Sequence, residues 1–144
     1  DATERGLVPL ARELELVSDY LEIEQARLGE RLSYTVAVAP GLMACAVPPL
    51  AVQTLVENSI KHAIAPRPAG GRVRVDASAT DGRLIVGVWD DGAGFTADAM
   101  RAGHGLENLQ GRLAARFGGA AALSVARQDG GTLVTIALPR TAGV

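Results

Sequence analysis

Two pairs of short apolar runs, each closed by a glycine turn, constrain this chain more than any other feature. Val73 and Val75 are followed by Leu84, Val86 and Val88 around Thr80-Asp81-Gly82. Leu123 and Val125 are followed by the run Leu133 to Leu138 around Gln128-Asp129-Gly130-Gly131. Apolar residues spaced by two and joined through Asp-Gly turns predict β-hairpins, so most of the sheet must be antiparallel. Helix-period segments before and between the hairpins need an apolar surface to cover. The expected fold class is α+β, a two-layer sandwich with helices on one face of a mixed, largely antiparallel sheet.

The helical segments are three. Pro9 fits a first helical turn, and Leu10, Leu14, Val17, Leu21 and Leu28 then form a seam, ending near Gly29. Leu16, Tyr20 and Ile23 make a second stripe beside it. A helix striped on two sides suits packing on both, or a core helix seen from two directions. Val47-Pro48-Pro49 opens a second helix running to about Ile64, and Leu106, Leu109, Leu113 and Phe117 mark a third, stopping at Gly118-Gly119. Leu32, Tyr34, Val36 and Val38 alternate as one further strand.

At 144 residues the chain suits one compact unit. Aromatic residues make up 3%, which leaves no stacking platform for single-stranded nucleic acid, and a net charge of −2 supplies no basic field for a duplex. A lone Cys45 excludes a disulfide framework and suits a reducing, cytoplasmic setting. No apolar run reaches the ~20 residues of a membrane span, so any membrane contact is expected through segments outside this chain. Because the chain begins with Asp1, it reads as a piece of a longer protein.

Of fourteen basic residues, Lys61 is the only lysine, and it falls in the polar run Glu57-Asn58-Ser59-Ile60-Lys61-His62. On a helix, Thr54, Glu57, Asn58, Lys61 and His62 share about 140° of arc, with Val52, Val56, Ile60, Ala63 and Ile64 opposite. A magnesium ion held mainly by triphosphate oxygens needs one more hard oxygen and little further negative charge, which the Asn58 amide supplies. Glu57 can accept a proton from a nucleophile, and Lys61 can offset charge on the outer phosphates. Taken alone, the same stripe reads more readily as a solvated helix face. Asp90-Asp91-Gly92-Ala93-Gly94 follows a strand. It reads either as a surface turn or as an adenine reader, in which Asp90 accepts from the exocyclic amine while Gly92 and Gly94 let the base approach the backbone. Gly103-His104-Gly105-Leu106 opens the third helix, whose first-turn N–H groups favour phosphate. Asn108 stands where a dinucleotide fingerprint would carry its third glycine, and Lys61 has no P-loop glycines before it.

In order and spacing these segments resemble the GHKL ATP-binding superfamily: an N box, a first glycine box, a lid, a second glycine box and a late Gly131-Thr132. Val47-Pro48-Pro49-Leu50 running into Leu55 through His62, the segment Glu13 through Arg27, and Gly103 through Asn108 continuing to Arg112-Leu113 are similar to LytS-like sensor histidine kinases. That resemblance covers residues 8 to 139 and implies the Bergerat fold, with ATP and magnesium as ligands. Asn58 would ligate magnesium, and Glu57 would act as base or orienter. Lys61 and His62 would contact phosphate or ribose. Asp90 would read adenine with Thr132 in support. Gly103, His104, Gly105 and Leu106 would line the phosphates, assisted by Asn108.

The resemblance also implies that residues 1–29 are a second dimerisation helix and linker, preceding an ATP-binding domain over 30–144. The phosphoacceptor histidine would lie on an earlier helix of the same kinase, which would be a homodimer when whole and would serve a response regulator. His62 and His104 both sit inside nucleotide motifs, so neither is placed as an acceptor. Two departures stand out: Thr54 replaces the Pro or Asn common in relatives, and only eight residues separate Gly94 from Gly103. Alternatives are a serine kinase of the anti-sigma type and a nucleotide-gated interaction module without phosphotransfer.

Overall fold

The computed structural model describes residues 6–92 and 105–141. In chain order the elements are β1 (Val8–Pro9), α1 (Leu10–Leu28), β2 (Leu32–Val38), β3 (Ala46–Val47) and α2 (Ala51–Ser59), which continues as a π turn (Ile60–Ile64). Then come β4 (Gly71–Thr80), β5 (Arg83–Asp90), α3 (Gly105–Phe117), β6 (Ala122–Gln128) and β7 (Gly131–Pro139). Five strands form one sheet in the order β2-β4-β5-β7-β6, and β1 pairs with β3 in a small separate ladder. Strand β2 runs parallel to β4, and every other pairing in the large sheet is antiparallel. A parallel pair needs a crossover, which α2 and its π turn provide.

Both expected hairpins form. Thr80 pairs with Arg83 and Gln128 with Gly131, leaving two-residue loops. Asp81 and Gly82 have φ of 52° and 74°, and Asp129 and Gly130 have 51° and 75°. Two consecutive left-handed residues match the twist of the flanking strands, which is why Asp-Gly serves at both turns.

Strand periodicity decides which side chains meet the helices. Val73, Val75 and Ala77 of β4, Leu84, Val86 and Val88 of β5, and Val134, Ile136 and Leu138 of β7 are buried in register. Leu106, Leu109 and Leu113 of α3 and Val52, Leu55 and Val56 of α2 join them in one core. On the opposite sheet face Trp89 is covered by the guanidinium of Arg74, 4.2 Å from its ring centre, and donates its indole N–H to the Gln128 carbonyl at 2.7 Å.

In helix α1 the seam residues Leu10, Leu14, Val17, Leu21 and Leu28 belong to the same core as α2 and the sheet. Residues 10–28 therefore pack with α2 and the sheet around a single core. The reason is partly polar. Glu13 is fully buried, and its carboxylate accepts from the backbone N–H of Leu50 at 2.9 Å, Val52 at 3.1 Å and Gln53 at 3.2 Å. Helix α2 starts after Leu50, a left-handed residue with no capping side chain of its own. An unpartnered helix start leaves donors exposed, and α1 supplies the missing acceptor. Of the second stripe, Ile23 remains 66% exposed.

Candidate functional site

The polar side of α2 faces the head of α3. Thr54, Glu57, Asn58, Lys61, His62 and Gly105 line one cleft of about 200 Å³. Helix α2 does not run regularly to Ile64 as expected: the Ala65 N–H bonds the Ile60 carbonyl at 2.8 Å, five residues back. Such π turns widen a helix locally and are frequent at functional sites. Lys61 and His62 sit on this wider turn and still share the cleft wall with Glu57 and Asn58.

Glu57 and Lys61 are exposed, while Asn58 and His62 are half-buried. The Asn58 amide nitrogen is buried with no hydrogen-bond partner among the described residues. A buried polar atom left unpaired is uncommon, and a bound group beside it is one explanation. Thr54 gives its hydroxyl to the Leu50 carbonyl at 2.7 Å, so that hydroxyl proton serves the helix itself. The Thr54 methyl lies 3.6 Å from where a Gly105 side chain would begin, which brings the α3 N-terminus close to α2. Arg112 secures that approach by donating to the Pro49 carbonyl. From α1, Tyr20 comes near enough to this wall for Glu57 to act on it. Its phenol is pushed up to about 12 by burial first, then by Glu24 and Glu57, against a smaller opposing effect of Arg27.

A second group of polar residues ends the sheet. Asp90 and Thr132 continue the buried, helix-facing rows of β5 and β7, and they pair directly across the ladder. Both are almost fully buried, at 3% and 1% exposure. Burial raises the Asp90 carboxyl above its ordinary range, the nearby Ser59 hydroxyl and the Gly92 N–H pull it back, Asp91 raises it further and Arg67 opposes. The Gly92 N–H donates to Asp90 Oδ1 at 3.0 Å. A side chain at Gly92 would start 2.6 Å from the Ala63 methyl, and one at Gly131 would start 2.0 Å from the Asp90 carbonyl oxygen. These glycines therefore let the π turn and the neighbouring strand close on Asp90, which spacing alone did not reveal. Asp91 is occupied differently, accepting from Arg67 and from the Arg72 N–H, each at 3.1 Å.

Leu106 has its side chain in the core, so only its backbone is available to a ligand, and Asn108 is exposed on α3 and does not line the cleft. Gly94, Gly103 and His104 lie outside the described residues. Arg127 escaped the sequence reading: it donates to the Thr132 hydroxyl at 2.8 Å and the Gly92 carbonyl at 2.9 Å. Its only signal was position, five residues before Thr132 across a hairpin.

Residues 49–142 match the family described as histidine kinase-, DNA gyrase B-, and HSP90-like ATPase. Sensor protein LytS of Staphylococcus epidermidis is 33% identical over 144 residues, covering 92% of this chain and 24% of that protein. The sensor histidine kinase/phosphatase LytS of Staphylococcus aureus is 36% identical over 147 residues, with 92% and 25% covered. The chain thus spans about a quarter of the length of the curated relatives it matches. Among solved structures, the catalytic domain of histidine kinase ThkA shares the fold, with a TM-score of 0.72 at 12% identity over 95% of this chain and 97% of that one. Full-length ShkA in complex with AMPPNP aligns with a TM-score of 0.68 at 26% identity, covering 95% of this chain and 32% of ShkA.

Proposed function

Because this chain belongs to the histidine kinase-, DNA gyrase B- and HSP90-like ATPase family, we propose that it is the ATP-binding catalytic domain of a LytS-like sensor histidine kinase. One observation carries the reading most directly. The apolar rows of β5 and β7 end in a buried carboxylate and a buried hydroxyl, close under the helix whose other side carries Glu57, Asn58, Lys61 and His62. A buried acceptor paired with a hydroxyl suits a nucleobase edge, and a cleft reaching a helix N-terminus suits phosphates.

In this reading Asp90, ionised, accepts from the adenine amine, with Thr132 beside it. Lys61 and the first-turn N–H groups of α3 hold the outer phosphates, and His62 contacts phosphate or ribose. Among the described residues no three His, Cys, Asp or Glu side chains cluster to hold a metal ion. That suits magnesium bound chiefly by phosphate oxygens, with the Asn58 carbonyl oxygen as the protein's ligand. The ion, when bound, would neutralise charge on the phosphates. Glu57, exposed at the cleft mouth, accepts the proton of the attacking imidazole as the γ-phosphoryl group leaves ADP. That imidazole belongs to a phosphoacceptor helix of the same kinase outside this chain, and a response regulator receives the group from it. His62, which lines the cleft itself, serves in this reading as a nucleotide contact and not as the acceptor. The whole kinase would be a homodimer.

The test is transfer in trans. Supplied with labelled ATP and the folded acceptor helix, this chain should label that helix and acquire no acid-labile phosphate itself. Glu57→Gln should cut transfer more than nucleotide affinity, because a proton acceptor matters chiefly in the transition state. Self-labelling of the isolated chain, or full-rate transfer by the variant, would overturn the reading.

A further inference from the structure

Edge strand β6 contributes one charged residue to the base end of the site. Arg127 faces Thr132 in register across the β6–β7 pair, and a single guanidinium nitrogen, Nη1, reaches both the Thr132 hydroxyl and the Gly92 carbonyl. The second contact ties β6 to the backbone that also donates to Asp90 Oδ1. A guanidinium only donates hydrogen bonds. Thr132 Oγ1 must therefore accept from Arg127, and its own proton turns away from that cation. The neighbour of Thr132 on its other side is Asp90, its partner in the ladder.

We propose that Arg127 is a positioning residue that sets base specificity by holding the Thr132 hydroxyl as a donor beside the Asp90 acceptor. An acceptor next to a donor complements adenine, whose amine donates and whose N1 accepts. Guanine presents the reverse, a carbonyl oxygen and an N1–H, so it is opposed at both points. Without Arg127 the hydroxyl rotates freely and can accept from guanine N1–H, which removes one of the two conflicts. This inference rests on the reading of Asp90 as the base-recognition group.

The experiment compares ATP and GTP affinities by calorimetry for the chain and for Arg127→Met, Arg127→Lys, Thr132→Val and Asp90→Asn. The ratio of the two affinities is the informative quantity. Losing a positive charge weakens both triphosphates alike and cancels in the ratio. Arg127→Met should lower the ATP preference roughly five- to tenfold, the factor associated with one neutral hydrogen bond. Arg127→Lys, still a pure donor, should recover part of it. In a Thr132→Val background, Arg127→Met should leave the ratio where Thr132→Val put it. Equal losses for both nucleotides in Arg127→Met, or the same fall with and without the hydroxyl, would overturn the role of Arg127. Selection abolished by Asp90→Asn but untouched by Arg127→Met would sink this inference alone. Equal binding of ATP and GTP by the unmodified chain would sink the Asp90 reading and this inference together.

Discussion

Glu13→Ala should be the most destabilising substitution of a charged residue in α1, and its cost follows from the contacts. The Glu13 carboxylate takes three backbone N–H groups at the start of α2 while fully buried. Losing a helix cap costs about 0.5–2 kcal/mol where water can substitute. Here the carboxylate also complements the helix dipole in a partly buried setting, worth up to ~2 kcal/mol. Of the donors left behind, the Val52 N–H is buried and those of Leu50 and Gln53 are partly buried, and a buried unsatisfied donor costs about 1–3 kcal/mol before any relaxation. These contributions overlap, so the net expectation is ~3–5 kcal/mol, in line with the loss of one partner from a buried charged network. Glu13→Gln keeps the shape but turns one oxygen into a donor facing an N–H, and should cost about 1.5–3 kcal/mol. Denaturant unfolding reads both directly, as a lower midpoint at unchanged slope. Glu15→Ala and Glu22→Ala, exposed on the same helix, should stay within about 0.5 kcal/mol of the parent. If Glu13→Ala costs no more than those controls, the capping argument and the placement of α1 inside the sandwich are both wrong.

Asp90→Asn should weaken ATP binding roughly ten- to a hundredfold through loss of a charged hydrogen bond. The same variant should be at least as stable as the parent without nucleotide at pH 7. Because the folded pKa of Asp90 is raised by burial, the native state binds the extra proton, and parental stability falls as pH rises through the window from the ordinary to the raised value. The advantage of Asp90→Asn should therefore shrink on acidification through that window, and denaturant midpoints at pH 7 and pH 4 that move together would contradict it. Asn58→Ala should remove the magnesium dependence of ATP binding while leaving adenosine binding largely intact, since the proposed base contacts, Asp90 and Thr132, lie on β5 and β7; calorimetry with and without magnesium checks this. Gly92→Ala should lower both stability and nucleotide affinity, because its methyl would lie 2.6 Å from the Ala63 methyl. A variant with an unchanged thermal midpoint would show that the π turn yields at little cost.

What the sequence determined by itself was whatever depends on neighbours along the chain. Period-two apolar runs and Asp-Gly turns specify hairpins whatever surrounds them, since a turn residue's φ and a strand's alternation are local properties. The polar stripe from Thr54 to His62 was legible because helical spacing alone collects it on one side. Alternation also carried Asp90 and Thr132 into the buried rows of β5 and β7, although their pairing needed the register of both hairpins. The rest was decided in three dimensions. Glu13 reads as one more acid on a helix until Leu50, thirty-seven residues on, begins α2 without a cap of its own. Nothing local distinguishes a seam that meets a partner helix from one that meets its own core. The widening at Ile60 and the reach of Arg127 to Gly92 and Thr132 are of the same kind. The contacts of Glu13 with the start of α2 and of Arg127 with Gly92 each satisfy a backbone group whose partner is fixed only when the sheet and helices pack, so no spacing in the sequence encodes them.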